Sequence, residues 1–293
     1  MKKVADYNKE ISVFLITKED EELFCELQKK LSEAFMVPSV RDKYDEDYMY
    51  LVSLTHGKII AAYRFRICKD AVVDGKYDLY TSQYFKYSDE LINILPYTIE
   101  LGRAFCLTDY IHALMSVLTC GVGPLIQHCW NFGIHYLIGQ VSLSHDIYDI
   151  ETIHKITTMF TKDFGKSVLF EPISAPDFVL NPKKYGLSEN YGFIGTYSED
   201  LKTLKGMGIQ LPTLFRAYAE MTEGGIVCNL PSTSNVINTT EQPFCVDTKR
   251  FTQKAYNRYL SHEYDPEAFA FIKWMYPLTT HTGTMLVSVS FFL

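Results

Sequence analysis

The order of strand-like and helix-like segments in the first 165 residues is the feature that most constrains the fold. Residues 11–17 alternate and are rich in β-branched and aromatic side chains, which indicates a strand, whereas residues 21–35 place apolar side chains at helical spacing. The same reasoning predicts further strands at 48–54, 58–67, 97–107 and 135–143 and further helices at 111–130 and 149–164. This order predicts an α/β (α+β) fold in which a mixed central sheet has helices on its faces.

The rest of the chain predicts an extension of the same domain. Residues 165–208 contain many Pro and Gly breaks and give no clear assignment, after which the pattern predicts a helix at 211–221, strands at 226–230 and 244–247, and a helix at 248–260. No repeat or linker composition divides the chain. We therefore predict one domain over 1–262, with a core at about 10–165, an elaboration at 166–262, and a tail of unknown role at 263–293.

Composition and charge exclude several classes of protein. The formal net charge is −7 over 293 residues, which argues against a nucleic-acid binder. Seven cysteines without a C-x-x-C pair support neither a disulfide framework nor a zinc ribbon, and they suit a reducing compartment. No apolar stretch is long and unbroken enough for a membrane span, and the N-terminus lacks the apolar run of a signal peptide. We expect a cytoplasmic protein, soluble or peripherally attached to the membrane.

The ELGR run at 100–103 is the most informative local feature. Glu100 and Arg103 lie in an apolar strand, where burying a charge costs free energy unless the charge is paired or used. In a regular strand the two side chains would point to opposite faces, but Gly102 indicates a bulge that could redirect Arg103. A bulged central strand could open a cleft beside an acid–base group. The simpler alternative is a partly exposed ion pair at the sheet edge.

Two neighbouring segments add charged candidates. Asp42, Asp45 and Asp47 precede a predicted strand, where carboxylates could hold a substrate ammonium or simply form a solvated acidic loop. Arg64 lies within the AAYRFR strand, where it could pair with Glu100, grip a substrate carboxylate, or contribute to a polar sheet face. Phosphate-binding, dinucleotide-binding, nucleophile-elbow and zinc-ligand motifs are missing from the sequence, so no metal site is predicted.

Three of these segments resemble a known family in order and spacing. The runs IIAAYRFR (59–66), PYTIELGRAF (96–105) and YLIGQVSLS (136–144) resemble the ornithine-lipid type of N-acyltransferases, which includes glycine-lipid synthases and proteins labelled hemolysins. The later LPTLFRAYAEMTEGGIVC (211–228) fits the same pattern, and the ELGR core is also similar to the E-x-x-R of acyl-homoserine-lactone synthases. The resemblance implies a GNAT-like acyl-CoA N-acyltransferase fold. It also implies transfer of a 3-hydroxyacyl group from acyl carrier protein to the α-amine of ornithine or glycine, giving a lyso-aminolipid.

The resemblance also assigns residues, taken one by one. Glu100 and Arg103 fall on the family's E-x-x-R as the predicted catalytic pair, with Glu100 accepting the proton of the amine. The predicted substrate-binding residues are Arg64, Asp45, Asp47, Phe105 and Ser142. The chain departs from the family at 229–231, where Asn-Leu-Pro replaces Gly-x-Pro, so the role of that segment stays open.

The donor is expected to be protein-bound. CoA-binding GNAT enzymes carry an R/Q-x-x-G-x-G/A loop for pyrophosphate, and residues 107–112 offer none. This favours acyl carrier protein over acyl-CoA, which stays the alternative donor, and no bound cofactor is expected. Because acyl carrier proteins are acidic, Arg41, Lys43 and Lys69 are predicted to dock the carrier. The alternative is that these are scattered solvated charges, balanced by nearby acids.

Two other functions are compatible with the sequence. An acyl-homoserine-lactone synthase would keep the fold but use S-adenosylmethionine and release methylthioadenosine. A non-catalytic, membrane-active protein is the second alternative, as the hemolysin label suggests. The preferred hypothesis predicts acyl carrier protein and a small amino acid as partners. It also allows a peripheral contact with the inner face of the membrane.

Overall fold

The computed structural model describes residues 1–35, 42–107, 112–234 and 238–272. The strands are β1 (Lys2–Asp6), β2 (Ile11–Ile16), β3 (Met49–Thr55), β4 (Lys58–Ile67), β5 (Val72–Val73), β6 (Lys76–Tyr77), β7 (Phe85–Tyr87), β8 (Thr98–Cys106), β9 (Tyr136–Ser144), β10 (Phe170–Pro172), β11 (Ile226–Val227), β12 (Ser232–Ser234) and β13 (Thr239–Asp247). The α-helices are α1 (Glu21–Phe35), α2 (Asp89–Ile94), α3 (Ala113–Val117), α4 (Gly123–Trp130), α5 (Ile150–Phe164), α6 (Asp177–Leu180), α7 (Tyr197–Gly206), α8 (Thr213–Met221) and α9 (Gln253–Tyr259).

Nine strands form one mixed sheet in the order β1-β2-β3-β4-β8-β9-β13-β11, with β12 also paired to β13. Every neighbouring pair is antiparallel except β8 and β9, which are parallel. The sheet therefore has the mixed character predicted from the alternation of strands and helices.

Different elements cover the two faces of the sheet. On the face we call the helical face, Leu101 and Val141 belong to the large buried cluster that also contains residues of α3, α4, α5 and α8. On the opposite face, which we call the site face, Phe105 packs in a cluster with Leu27 of α1. Farther along the site face, Ile138 packs in a third cluster with residues of β7 and α2. Polar side chains lie on the site face in addition to these two apolar clusters.

A bulge interrupts β8 opposite β4, as Gly102 predicted. Arg64 pairs with Gly102, but Ala62 pairs with Phe105, so β8 contains an extra residue between these two pairs. Arg103 takes the strained left-handed conformation, with φ of 47°, whereas Gly102 does not. Alternation is therefore reversed beyond this point, and Arg103 and Phe105 both reach the site face.

Pairing between β8 and β9 ends halfway along both strands. Their parallel register runs from Thr98–Tyr136 to Leu101–Gly139, although β8 continues to Cys106 and β9 to Ser144. We call the unpaired ends of these two strands the wedge. The β8 bulge begins immediately after the last paired residue, so bulge and wedge lie at the same level of the sheet.

The helix predicted at 111–130 is present from 113, and it runs on without a break. Gly121 and Pro124 were expected to interrupt it; instead, residues 118–122 form one π-helical turn between α3 and α4. Such a turn absorbs a local irregularity while the helix continues. Gly123 has a separate role, because a Cβ there would lie 1.8 Å from the carbonyl oxygen of Tyr259, so only glycine lets α9 approach this closely.

Several boundaries differ from the sequence-based expectation. Strand β13 covers nine residues from Thr239 rather than 244–247, because its first half, TTEQP, is polar and was not recognised as a strand. Strand β1 and helix α7 were not predicted. The start of the predicted tail belongs to the core, since Ala268 and Phe269 are buried and the Asp265 amide donates to the Val4 carbonyl oxygen of β1. In the described part of the chain, no helix is long and apolar enough to cross a bilayer.

Replacing Gly139 with alanine tests the closeness of β8 and β9 where their pairing ends. An added Cβ would lie 2.4 Å from the Leu101 carbonyl oxygen and 2.7 Å from the Phe244 ring. We expect Gly139→Ala to lower the free energy of unfolding by about 1–3 kcal/mol, as overpacking does. Urea denaturation measures this change.

Gly206→Ala is the matched control, because nothing lies within 4 Å of its added Cβ. It should change stability by no more than about 1 kcal/mol, in the stabilising direction expected in a helix. Equal stability of the two variants would contradict the close approach at Gly139.

Candidate functional site

Two arginines and two aspartates form a buried ion network on the site face beside the bulge. Arg64 Nη1 donates to Asp45 Oδ1 at 2.8 Å and to Asp42 Oδ1 at 3.2 Å. Arg103 donates to Asp42 Oδ2 at 2.7 Å and to Asp45 Oδ2 at 3.2 Å. The side chains of Arg64 and Asp45 are fully buried, whereas those of Arg103 and Asp42 keep 10 % and 22 % of their surface. The four charges cancel, which is the condition for burying them.

Tyrosine rings enclose this network. Tyr50 donates its hydroxyl to Asp45 Oδ1 at 2.7 Å, and burial raises the pKa of Tyr50 well above its usual range. The Arg64 guanidinium lies 4.6 Å from the ring centroids of both Tyr48 and Tyr80. Arg64 Nε and Nη2 are buried without a hydrogen-bond partner in the described structure, so these two rings provide cation–π contacts in place of hydrogen bonds.

Glu100 lies on the site face with both carboxylate oxygens occupied. It is 1 % exposed, and it accepts hydrogen bonds from the Tyr48 hydroxyl, the Tyr80 amide, and the Thr81 amide and hydroxyl. A carboxylate offers about four lone-pair positions, and four donors fill them. This geometry fixes the segment at 80–81 over the sheet. The role of Glu100 as proton acceptor stays a prediction. It does not pair with Arg64, one of the alternatives that the sequence left open.

The remaining predicted residues lie in different surroundings. Asp47 is 56 % exposed and pairs with Arg66 at 3.2 Å, outside the network that Asp45 joins. Phe105 is buried in the α1 cluster, and Ser142 is exposed on the unpaired end of β9. Of the predicted set, the structure therefore brings Arg64, Asp45 and Arg103 into direct contact and adds Asp42 to them.

The predicted carrier-docking residues are described only in part. Lys43 is 64 % exposed, lies 4.6 Å from the Tyr44 ring centroid, and pairs with Asp78 at 2.9 Å. Lys69 follows β4 in a short 3₁₀ turn on the surface. Arg41 lies outside the described residues. Docking at these three positions stays a prediction.

A second polar cluster lies on the unpaired end of β9, and sequence reasoning had singled out only Ser142 among its members. Glu241 of β13 pairs in register with Ser142, is 0 % exposed, and accepts hydrogen bonds from Ser142 Oγ at 2.8 Å and Gln140 Nε2 at 3.0 Å. Thr239 Oγ1 is the third donor. Burial raises the pKa of Glu241, and these three hydrogen bonds oppose the rise. Recognising residues 239–243 as a strand would have placed Glu241 in the sheet, but its position beside Ser142 depends on the register of β13 and β9.

A cavity lies away from both polar clusters. It has a volume of about 760 Å³ and is lined by residues of α3, α7, α8 and α9, so it belongs to the helical face. Its charged lining residues are Lys205, Arg216, Glu220, Lys254 and Arg258. Within the described residues, no group of three or more His, Cys, Asp or Glu side chains is placed to hold a metal ion.

Removing Asp45 tests how far the fold depends on the ion network. Asp45→Ala leaves buried Arg64 without its shortest ion pair, so we expect the free energy of unfolding to fall by about 3–5 kcal/mol. Asp47→Ala is the matched control, because an exposed ion pair contributes at most about 1 kcal/mol. Urea denaturation of both variants provides the comparison. Similar small losses would show that the network does not stabilise the fold.

Comparison with known proteins agrees with the resemblance found in the sequence. Residues 21–120 match the family model described as an acetyltransferase (GNAT) domain. A curated protein of Phocaeicola vulgatus named glycine N(alpha)-acyltransferase is 27 % identical over 182 residues, which are 56 % of this chain. The chain matches 54 %, about half, of the length of that relative.

Solved structures show more distant similarity. The acyl-homoserine-lactone synthase LasI is 11 % identical with a TM-score of 0.45, and the alignment covers 87 % of this chain and 99 % of LasI. The CoA-dependent acyl-homoserine lactone synthase BjaI is 11 % identical with a TM-score of 0.38, covering 85 % and 90 % of the two chains.

The family match lies on the part of the chain that builds the site. Residues 21–120 contain α1, β3, β4 and β8, and with them the aspartates, both arginines of the ion network and the bulge. The predicted GNAT-like fold class and family resemblance are confirmed by the match of residues 21–120 to the model described as an acetyltransferase (GNAT) domain.

Proposed function

We propose that this protein is an N-acyltransferase that moves a 3-hydroxyacyl group from acyl carrier protein to the α-amine of glycine or ornithine. The product would be a lyso-aminolipid. The GNAT domain and the relative named glycine N(alpha)-acyltransferase support transfer to an amine. The carrier-bound donor and the lipid product rest on the sequence resemblance and on the missing pyrophosphate loop.

The observation that carries this proposal is the wedge between β8 and β9. Two central parallel strands stop pairing after Leu101 and Gly139, so in the described part of the chain their diverging ends present backbone groups that a ligand could use. Cationic Arg103, with 10 % of its side chain exposed, lies on the β8 side, and exposed Ser142 lies on the β9 side. The wedge therefore combines an opening for a thioester with polar groups on both strands.

The reaction needs two proton movements at this opening. The acceptor arrives as an ammonium and must lose one proton before its nitrogen can attack the thioester carbonyl. The C–N bond then forms, the C–S bond breaks, and the second nitrogen proton goes to the leaving thiolate. A backbone N–H freed at the wedge could stabilise the oxyanion formed in between.

The ion network suits a role in shaping the acceptor side. Arg103 reaches the site face only because of the bulge, and its guanidinium is held by two aspartates. Its exposed part could bind the carboxylate of an amino-acid acceptor, for which Arg is suited. In this proposal the protein is cytoplasmic and meets the inner face of the membrane peripherally, where its product would be delivered.

A direct assay tests the proposed reaction. The purified chain is incubated with a mixture of amino acids and either 3-hydroxyacyl carrier protein or the matching acyl-CoA, and N-acyl products are identified by mass spectrometry. We expect one N-acylated amino acid, glycine or ornithine, formed faster with the carrier protein. No N-acyl product with either donor would contradict the proposal.

The same assay separates the alternatives. Release of methylthioadenosine from added S-adenosylmethionine would indicate a homoserine-lactone synthase. Lysis of red cells by the purified protein without any acyl donor would indicate a membrane-active protein.

Neutralising the predicted docking residues tests the carrier site. The triple variant Arg41→Ala, Lys43→Ala, Lys69→Ala should raise KM for the acyl carrier protein by roughly 3–10-fold at low salt, because opposite charges steer association. The melting temperature should not change.

The matched control, with the same loss of three charges, is Lys205→Ala, Lys254→Ala, Arg258→Ala in the cavity of the helical face. An equal rise of KM in both triple variants would show a general charge effect instead of a docking site. An unchanged KM in the Arg41, Lys43 and Lys69 variant would show that the carrier protein docks elsewhere.

A further inference from the structure

We propose that Glu241, acting through the Ser142 hydroxyl, accepts the proton that the acceptor amine loses at the wedge. This inference rests on the proposed function and names a proton path for it. Glu241 lies on β13, outside the segment that matches the GNAT family and outside the residues assigned by the resemblance.

Glu241 is buried without a compensating cation among the described residues. Its side chain is fully buried, and among the described residues its hydrogen-bond donors are Ser142, Gln140 and Thr239, all uncharged. Burying a carboxylate without a cation costs several kilocalories per mole and favours its neutral form. By contrast, Asp45 is equally buried but contacts two arginines. Of these two buried carboxylates, Glu241 is the one without a cation beside it.

The two buried glutamates differ in the number and kind of hydrogen bonds that they accept. Glu100 accepts four hydrogen bonds, two of them from backbone amides, so its lone-pair positions are filled. Glu241 accepts three, all from side chains, and the Ser142 hydroxyl that donates to Oε2 can turn to accept a hydrogen bond once the carboxyl is protonated. Burial raises the pKa of Glu241, in the direction that a proton acceptor for an amine requires.

Ser142 connects the buried Glu241 carboxylate with the wedge. The carboxylate is closed off from solvent, but Ser142 is exposed and lies on the unpaired end of β9. Its hydroxyl donates to Glu241 Oε2 at 2.8 Å, so its oxygen still has lone pairs for an incoming ammonium. Val141 and Leu143 of the same strand point into the core of the helical face, so Ser142 points to the site face.

The proton balance of this path closes without another reactant. The ammonium gives one proton to Ser142 Oγ while Ser142 gives its own proton to Glu241, leaving a neutral amine, an unchanged hydroxyl and a carboxylic acid. After acyl transfer, Glu241 returns the proton to solvent by the reverse path. The thioester sulfur leaves with the second nitrogen proton as a thiol.

Among the described residues, the hydrogen-bond donors to Glu241 are uncharged, and Tyr80 is a titratable group that interacts with it. From β9 it meets Gln140 and Ser142, and from its own strand Thr239, none of which titrates in the working range. On the site face, Tyr80 feels its charge: burial chiefly raises the pKa of Tyr80, with smaller contributions from Tyr84 and Glu241. Tyr80 also lies near the Arg64 and Arg103 guanidiniums of the ion network.

The test measures kcat/KM for the acceptor amine as a function of pH in the full chain. Glu241→Gln keeps the shape and loses the proton acceptor, so we expect kcat/KM near neutral pH to fall by about 10²–10⁴-fold. The loss should shrink as the pH approaches the pKa of the amine, because the amine then deprotonates in solution. KM for the acyl donor should stay unchanged.

Three further variants distinguish a proton path from a structural role. Ser142→Ala removes an exposed hydroxyl and should show the same pH-dependent loss, and the double variant should be no worse than Glu241→Gln alone. Glu241→Asp should recover part of the activity. Glu171→Gln, an exposed glutamate of β10, is the control and should behave as wild type.

Each outcome decides the question. A loss in Glu241→Gln that is the same at every pH, or wild-type activity in that variant, overturns the proton path. If Glu241→Gln does not fold, Ser142→Ala alone decides, and wild-type kcat/KM in it overturns the path. Product from the wild-type chain separates this result from the proposed function, because wild-type protein without N-acyl product overturns both.

Discussion

The buried charge of Arg64 is the constraint on which the site depends. A guanidinium with no exposed surface must be neutralised, and Asp45 and Asp42 do so from the loop that precedes β3. Two carboxylates around one arginine leave excess negative charge, which Arg103 balances. Arg103 can reach them only because the bulge turns it to the site face. The position of the loop before β3, the bulge in β8 and the balance of charge therefore all follow from the burial of Arg64.

The site face handles buried carboxylates in three ways. Asp45 pairs with arginines, and Glu100 accepts hydrogen bonds from four donors. Glu241 accepts hydrogen bonds only from uncharged side chains among the described residues. The first two arrangements hold structural elements in place, because their partners come from separate segments of the chain. The third arrangement leaves a buried carboxyl group whose pKa is raised by burial. The division of roles therefore follows from the partners of each group, since all three are nearly equally buried.

Much of the fold could be predicted from periodicity, because strands and helices of the core bury regular apolar faces. The alternation in β2 and the helical spacing of α1 were sufficient for their boundaries to within about a residue. Strand β13 was missed over its first half, since Glu241 and its polar neighbours are satisfied by partners from β9, which no local pattern reveals. For Glu100 the sequence left a partly exposed ion pair open as an alternative to burial, because its four donors come from segments 19–52 residues away.

The sequence by itself determined the mixed sheet, the bulge at Gly102 and the resemblance to GNAT-like N-acyltransferases, because these depend on local propensity and on motifs of a few residues. The tertiary structure decided which charges meet. Arg64 pairs with Asp45 instead of Glu100, and Glu241 meets Ser142 from 99 residues away. Such pairings depend on strand order and register, and only the folded sheet fixes them.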